Sequence, residues 1–366
     1  MIVAGRDQRS DTPGALVLAD LPPPVNGMTI VTAAVVEQLR ADGSLAGVLA
    51  GSWGRRGSDA WHRARRQATL LGQVLWFPLQ RLRGRRRVYL PSDGGLGVLR
   101  ILLTVVAARA CGIELVLHHH TFFYIHRRVG LMAAICRVGG RRLHHVFLCE
   151  RMRDGFLQRY AVAGDSTVVS NAAFVPLGPA PGPRDRPGPL RVGMFGNLMA
   201  AKGLPDFLDV AARLHGDDRA ELHVGGKVEP DMVAGLAAAL DAGHVVHHGA
   251  LYGEDKVAFL RGLDLLVFPS RYSYEAEPLV VWEAVGHGVP VVAYPIGCLG
   301  EQVSTSHLVD GVEELERWVR AFLADPRAAR AVAAERHAAM AQLAQDSRDR
   351  FTTFVGARRP RGGPPS

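Results

Sequence analysis

The strongest constraint on the fold of this chain is a local device that occurs twice. It consists of a short apolar run, a turn carrying glycine, and then apolar residues at helical spacing. In the first half Ala15–Ala19 is the apolar run, the turn Leu21–Gly27 reads LPPPVNG, and Val31, Val35, Val36 and Leu39 share one helical face. In the second half the run is Leu190–Phe195 and the turn Gly196–Gly203 reads GNLMAAKG. Phe207, Val210, Ala211 and Leu214 form the following stripe, and Pro205 suits a first helical position. The second half continues the alternation, with strands predicted at 220–224, 244–248, 264–268 and 289–293. Helices are predicted near 230–241, 254–261, 278–286 and 311–323. The first half repeats it less clearly, with strands at 88–90, 113–118 and 145–149 and a long helix near 96–110. Short apolar strands separated by helices predict parallel sheets covered on both faces. The fold class is therefore α/β.

A chain of 366 residues suits two such domains. The expected order is a disordered start (1–13), an N-terminal domain (14–175), a Pro-rich linker (176–189) and a C-terminal domain (190–335). A last helix (336–357) is expected to pack back on the first domain, ahead of a disordered basic tail (358–366). Two doubly wound domains would face each other across a cleft. Ligands of such sheets sit at the carboxyl ends of the strands, so that cleft is the expected site.

Charge bears on the partners. The net charge is +8, and Lys202, Lys227 and Lys256 are the only lysines among 43 basic residues. From Arg55 to Arg87 arginines are mixed with Trp61, Trp76 and Phe77, just after Trp53, with Asp59 as the one carboxylate. Over residues 53–87 such a mixture suits either an anionic membrane surface or a plain solvated face; nucleic acid is the weakest reading. The start of the chain lacks the apolar core of a signal peptide. The run from Val98 to Leu117 is broken by Arg100, Arg109 and Glu114, which disfavours a membrane span. Cys111, Cys136, Cys149 and Cys298 show no metal spacing and read as reduced, mostly buried thiols. A cytoplasmic protein, resting on the inner face of the cell membrane, is the expectation.

The stretch Ser270–Val292, SRYSYEAEPLVVWEAVGHGVPVV, carries the most chemistry. Pro278 suits a helix start, which puts Glu275 in the preceding loop beside the free amides of Leu279 and Val280. Those amides and the helix dipole suit a phosphate group. Glu283 is the one charge among Leu279, Val280, Val281, Trp282, Ala284 and Val285. A carboxylate so placed needs hydrogen-bond donors. Ribose hydroxyls are suitable; a local arginine is the plainer alternative.

Glu275 and Glu283, with Gly288-Val289-Pro290-Val291-Val292 after them, resemble the E-x7-E signature of the retaining family-4 glycosyltransferases of GT-B fold. The resemblance spans residues 15 to 355 and includes both glycine turns. It implies a metal-independent transfer of a sugar from a nucleotide diphosphate donor, UDP- or GDP-linked, to an acceptor. The basic aromatic segment suggests a polyprenyl-linked acceptor from surface-polysaccharide assembly. Glu275 would contact the donor sugar and Glu283 the ribose. Lys202, with Gly196 and Asn197 in the phosphate turn, would meet the diphosphate; the family has arginine where Asn197 stands. Asn26 and Gly27 resemble the family's Gly-Gly turn. His120, last of the run His118-His119-His120, would touch the sugar. Gly225, Gly226, Gly249 and Leu251, at two strand ends, would hold the base through backbone. No cofactor is implied. A His118/His120 zinc pair is disfavoured, since no third ligand follows at usable spacing. The rivals are an epimerase of the same fold and a non-catalytic binding subunit.

Overall fold

The computed structural model describes residues 14–22, 25–49, 72, 75–92, 94–95, 97–179 and 187–356. Outside them lie the polar start, residues 180–186 of the Pro-rich linker, the basic tail, and Trp53, Trp61 and Arg55–Arg66 of the basic aromatic segment. The chain divides into two compact units, Met1–Phe174 with Gln345–Ser366, and Val175–Ala344.

The first unit runs β1 (Ala15–Leu18), α1 (Gly27–Ala41), β2 (Leu45–Leu49), α2 (75–82), β3 (Arg87–Ser92), α3 (Gly97–Ala110) and β4 (Glu114–His119). It continues through α4 (Phe123–His126), α5 (Gly130–Gly139), β5 (Leu143–Phe147), α6 (Glu150–Leu157) and β6 (Ser166–Val168). Its sheet has the order β2-β1-β3-β4-β5-β6 and every pairing is parallel. All four residues of β1 are buried. Successive strand residues point to opposite faces, so both faces of the sheet are covered there. From β1 the chain moves outward to β2 on one side and returns to β3 on the other. The turn that follows β1 therefore leaves from a topological switch point.

The second unit runs β7 (Leu190–Phe195), α7 (Leu204–Arg213), β8 (Ala220–Gly225), α8 (Val233–Asp241), β9 (Val246–His247), α9 (Gly253–Gly262) and β10 (Leu265–Phe268). After it come α10 (Leu279–Gly286), β11 (Val291–Ala293), α11 (Leu299–Gln302) and α12 (Val312–Ala324). Its sheet is again all parallel, in the order β11-β10-β7-β8-β9. Phe207 and Val210 of α7 share a core with Leu315, Val319 and Phe322 of α12 and with Val192, Val224 and Val267 of the strands. Burial of side chains of this size contributes about 1.5–3 kcal/mol each.

The final helix, α13 (Arg327–Val355), is continuous and begins nine residues before the expected 336. Its last turns belong to the first unit. There Phe351 lies edge-on to Tyr89 and Phe174 at 5.9 and 5.4 Å, and Arg87 donates to the Phe354 carbonyl at 2.9 Å.

Cys111 and Cys136 are free thiols, and Cys136 is buried. Among the described residues no helix is long and apolar enough to cross a membrane.

Candidate functional site

In the second sheet β7 is the strand from which the chain departs to β8 on one side and returns to β10 on the other. The loops after β7 and β10 thus frame its switch point, where ligands of such sheets bind. The first loop carries Lys202 at the end of a short 3-10 turn, Ala200–Lys202, and the second carries Glu275. Two features bring the loops together. Gly203 has φ +83°, and a Cβ there would stand 2.0 Å from the Pro269 carbonyl oxygen, so only glycine fits. The Arg271 amide donates to the Ala201 carbonyl at 2.9 Å.

As a result the Lys202 ammonium donates directly to the Glu275 carboxylate. Ser270 Oγ donates to the same carboxylate at 3.2 Å, and Glu275 is only 9% exposed. Next along the chain Ala276 O accepts from Cys298 N–H at 2.8 Å, and Gly297 (φ +56°) lies so close that a Cβ there would stand 2.5 Å from Glu275 O. The two residues that the sequence assigned to diphosphate and sugar therefore share one spot.

Helix α10 starts after Pro278, which caps it and is not its first residue. Gln302 Nε2 donates to the Pro278 carbonyl at 3.1 Å, steadying the helix entry. The amides of Leu279 and Val280 fall in the first turn and have no partner within the helix. About one helical turn on, Glu283 finds a donor that sequence reasoning missed. Lys256 Nζ of α9 donates to Glu283 Oε1 at 2.6 Å, while Glu283 Oε2 is buried without a hydrogen-bond partner. The pair is separated by 27 residues, too far for a local pattern.

Glycines line the carboxyl edge beside this spot. The Gly196 amide donates to Gly225 O at 3.1 Å and the Gly226 amide to Gly249 O at 2.7 Å. A Cβ on Gly226 (φ +132°) would lie 1.8 Å from Gly196 O. The three strand ends are thereby drawn together, with Gly225 and Gly226 buried and Gly196 and Gly249 partly exposed. Leu251 follows two residues after Gly249, and the side chain of Asn197 is exposed. Arg271, on the second loop, is engaged by other side chains. It pairs with Asp206 at 2.8 Å and lies over the Tyr294 ring at 4.7 Å.

In the first unit, Asn26 caps α1. Its side chain accepts from Thr29 N–H at 3.0 Å, and Thr29 Oγ1 accepts from Asn26 N–H at 3.0 Å. Asn26 is thus a helix cap whose oxygen is occupied, and the first amide of α1 belongs to Gly27. The histidine run divides by role. His118 Nδ1 is hydrogen-bonded to Tyr89 Oη at 2.7 Å, and His119 bonds Tyr124 Oη at 2.7 Å and His145 Nδ1 at 2.9 Å. His120, beyond the end of β4, stacks obliquely on His118 at 4.2 Å and keeps a buried Nε2 without a partner. Burial lowers the His120 pKa to about 4, so its imidazole is neutral at pH 7. Among the described residues no group of three or more His, Cys, Asp or Glu is placed to hold a metal ion.

Two parallel, Rossmann-like units match the GT-B fold, and the second carries a lysine–carboxylate pair at its switch point. Residues 189–342 match the family model described as Glycosyl transferases group 1. No curated relative matches the chain at a significant level. Among solved structures, HepE of Anabaena in complex with UDP and glucose aligns with TM-score 0.70 at 14% identity, covering 93% of this chain and 99% of that one. The lipopolysaccharide outer core galactosyltransferase WaaB aligns with TM-score 0.62 at 15% identity, over 93% and 99% of the two chains. WaaG, a glycosyltransferase involved in lipopolysaccharide biosynthesis, gives 0.61 and 14%, over 92% and 99%. At these identities the likeness establishes the fold.

Proposed function

We propose that this chain transfers a glycosyl residue from a nucleoside diphosphate sugar to an acceptor hydroxyl, with retention of anomeric configuration. The carrying observation is the Lys202–Glu275 pair at the switch point of the second sheet. In the free protein each charge neutralises the other. A bound donor offers both better partners: its diphosphate takes the Lys202 ammonium, and sugar hydroxyls donate to the released Glu275.

The acceptor oxygen bonds to the anomeric carbon on the face from which the diphosphate departs. The bond from that carbon to phosphate oxygen breaks, its electron pair leaves with the nucleoside diphosphate, and a phosphate oxygen takes the acceptor proton. The negative charge that develops is met by Lys202, by the Leu279 and Val280 amides and by the turns at Gly196–Asn197 and Asn26–Gly27. These groups supply the stabilisation that a metal would supply in other enzymes, and the reaction is proposed to need none. Asn26 serves as the cap that presents the Gly27 amide. Neutral His120 orients the donor sugar, Glu283 the ribose, and the backbone of Gly225, Gly226, Gly249 and Leu251 the base. HepE is known in complex with UDP, with UDP and glucose, and with UDP-glucose, which favours a uridine donor here.

Binding is tested by thermal unfolding with UDP, UDP-glucose, GDP and GDP-mannose, each with and without EDTA. The uridine ligands are expected to stabilise, by about 2.7 kcal/mol at a hundred times Kd, and EDTA to change nothing. Absence of a shift with all four would remove the donor reading. Retention is read from the anomeric configuration of the product by NMR.

The acceptor is proposed to be a lipid-linked glycan met at the inner membrane surface. The basic aromatic segment 53–87 and the lipopolysaccharide roles named for WaaB and WaaG support this. The protein is expected to co-sediment with anionic but not neutral vesicles and to be released by salt. Equal recovery with both vesicle types would argue for a soluble acceptor.

A further inference from the structure

We infer that Lys256 is a positioning residue for donor ribose: it clamps one oxygen of Glu283 and thereby aims the other at a ribose hydroxyl. The inference rests on the donor reading above and assigns a role to a residue outside the recognised motif.

Glu283 stands on a helix that is otherwise apolar along its length, from Leu279 to Val285. One carboxylate oxygen is held by Lys256 at 2.6 Å; the other is buried and receives no hydrogen bond. A buried acceptor left unpaired is costly, and native structures rarely leave one without a reason. A hydroxyl donor arriving with a ligand satisfies it. The Lys256–Glu283 pair is also no solvated surface contact. The two side chains are 18% and 17% exposed, and the ammonium lies 5.5 Å from the centroid of the Phe195 ring at the end of β7. Lys256 thus spans from the strand end beside Gly196 to the middle of α10, in a fixed geometry.

Its position along the chain agrees. Helix α9 begins at Gly253, directly after the segment holding Gly249 and Leu251, to which the base is assigned. Base contacts and the ribose clamp would then come from consecutive residues of one loop and helix, matching the order of base and ribose in a nucleotide.

The residue type is informative as well. This chain uses lysine three times against forty arginines, yet one lysine stands here. A guanidinium presents a planar fork that takes both carboxylate oxygens at once, whereas an ammonium is a point donor that occupies one. Arginine at 256 would preserve the ion pair and close off the oxygen the ribose needs. A salt bridge kept only for stability would tolerate that change.

The test compares the full-length protein with Lys256→Arg and Lys256→Met. Affinities for UDP and GDP are measured by calorimetry alongside their 2′,3′-dideoxy forms, with melting temperatures recorded for each variant. The parent is expected to prefer the hydroxylated nucleotide by roughly 10- to 100-fold, the span of one charge-assisted hydrogen bond. Both variants are expected to lose that preference while binding the dideoxy nucleotide within about twofold of the parent. Retention of the parental preference by Lys256→Arg would overturn the inference, because charge alone would then suffice. Retention by Lys256→Met would overturn it too. Should the parent bind UDP yet ignore the missing hydroxyls, the ribose role fails while the diphosphate site at Lys202 stands. Should neither nucleotide bind the parent, the donor reading itself fails.

Discussion

Lys202→Ala is expected to lower kcat for sugar transfer by about 10²–10³-fold, the usual cost of removing one preorganised group from a developing charge. The argument is electrostatic. Departure of a nucleoside diphosphate leaves negative charge on oxygens that water would otherwise solvate. A fixed ammonium at the switch point stabilises that charge without reorganising at the moment of bond breaking. Lys202 is fixed by the turn that Gly203 makes against Pro269 and by the Arg271–Ala201 hydrogen bond. Removing it also strips Glu275 of its main partner and leaves Ser270 as the remaining side-chain donor. A stability loss of about 1–3 kcal/mol is expected on that account, small beside the kinetic effect. Release of nucleoside diphosphate, measured at saturating donor and normalised to folded protein, separates the two. Turnover within tenfold of the parent would show that Lys202 does not meet the leaving group.

The contacts of this site were only partly legible in the sequence. Lys202 and Glu275 sit on loops that follow strands, and strands of the second half announce themselves as unbroken apolar runs such as Leu265–Phe268, buried throughout. The edge strands gave no such signal. β2 is half-buried along its whole length and β6 has three residues, so neither displays a buried run. Glu283 drew notice as a lone charge among apolar residues, but its lysine partner lies on another helix and no local period connects the two. The histidine run shows the same limit. That His118, His119 and His120 end a strand is readable from Ile113–Leu117. That His119 meets His145 depends on β4 pairing beside β5, a register fixed only by the whole sheet. Asn26 resembles a substituted glycine of a phosphate turn, and with Thr29 three residues on it also forms a capping box.

That buried imidazole cluster should make the first unit sensitive to acid. His118, His119 and His145 are no more than 1% exposed. Burial lowers all three pKa values, and neighbouring histidines lower them further: His120 and His119 act on His118, His145 and His120 on His119, and His144 on His145, which is brought to about 3. Their hydrogen bonds run to Tyr89, Tyr124 and each other, so the described contacts offer the cluster no carboxylate to compensate a proton. Above pH 6.5 these groups are neutral in both folded and unfolded chains and stability is insensitive to them. Below it the unfolded chain binds protons that the folded one refuses, so stability falls as pH falls, down to the folded pKa values. Three such groups give a slope of about 4 kcal/mol per pH unit at its steepest. Against a typical domain stability of about 5–15 kcal/mol, a slope of that order leaves the unit markedly less stable at pH 5 than at pH 7. Urea unfolding at pH 7, 6 and 5, with amide exchange read at β4 and β5, measures it. A stability unchanged from pH 6.5 to 4.5 would mean that these imidazoles are not held neutral. The same burial keeps His120 uncharged through the neutral range, so its contribution to sugar binding is expected to be a hydrogen bond, independent of pH above about 6.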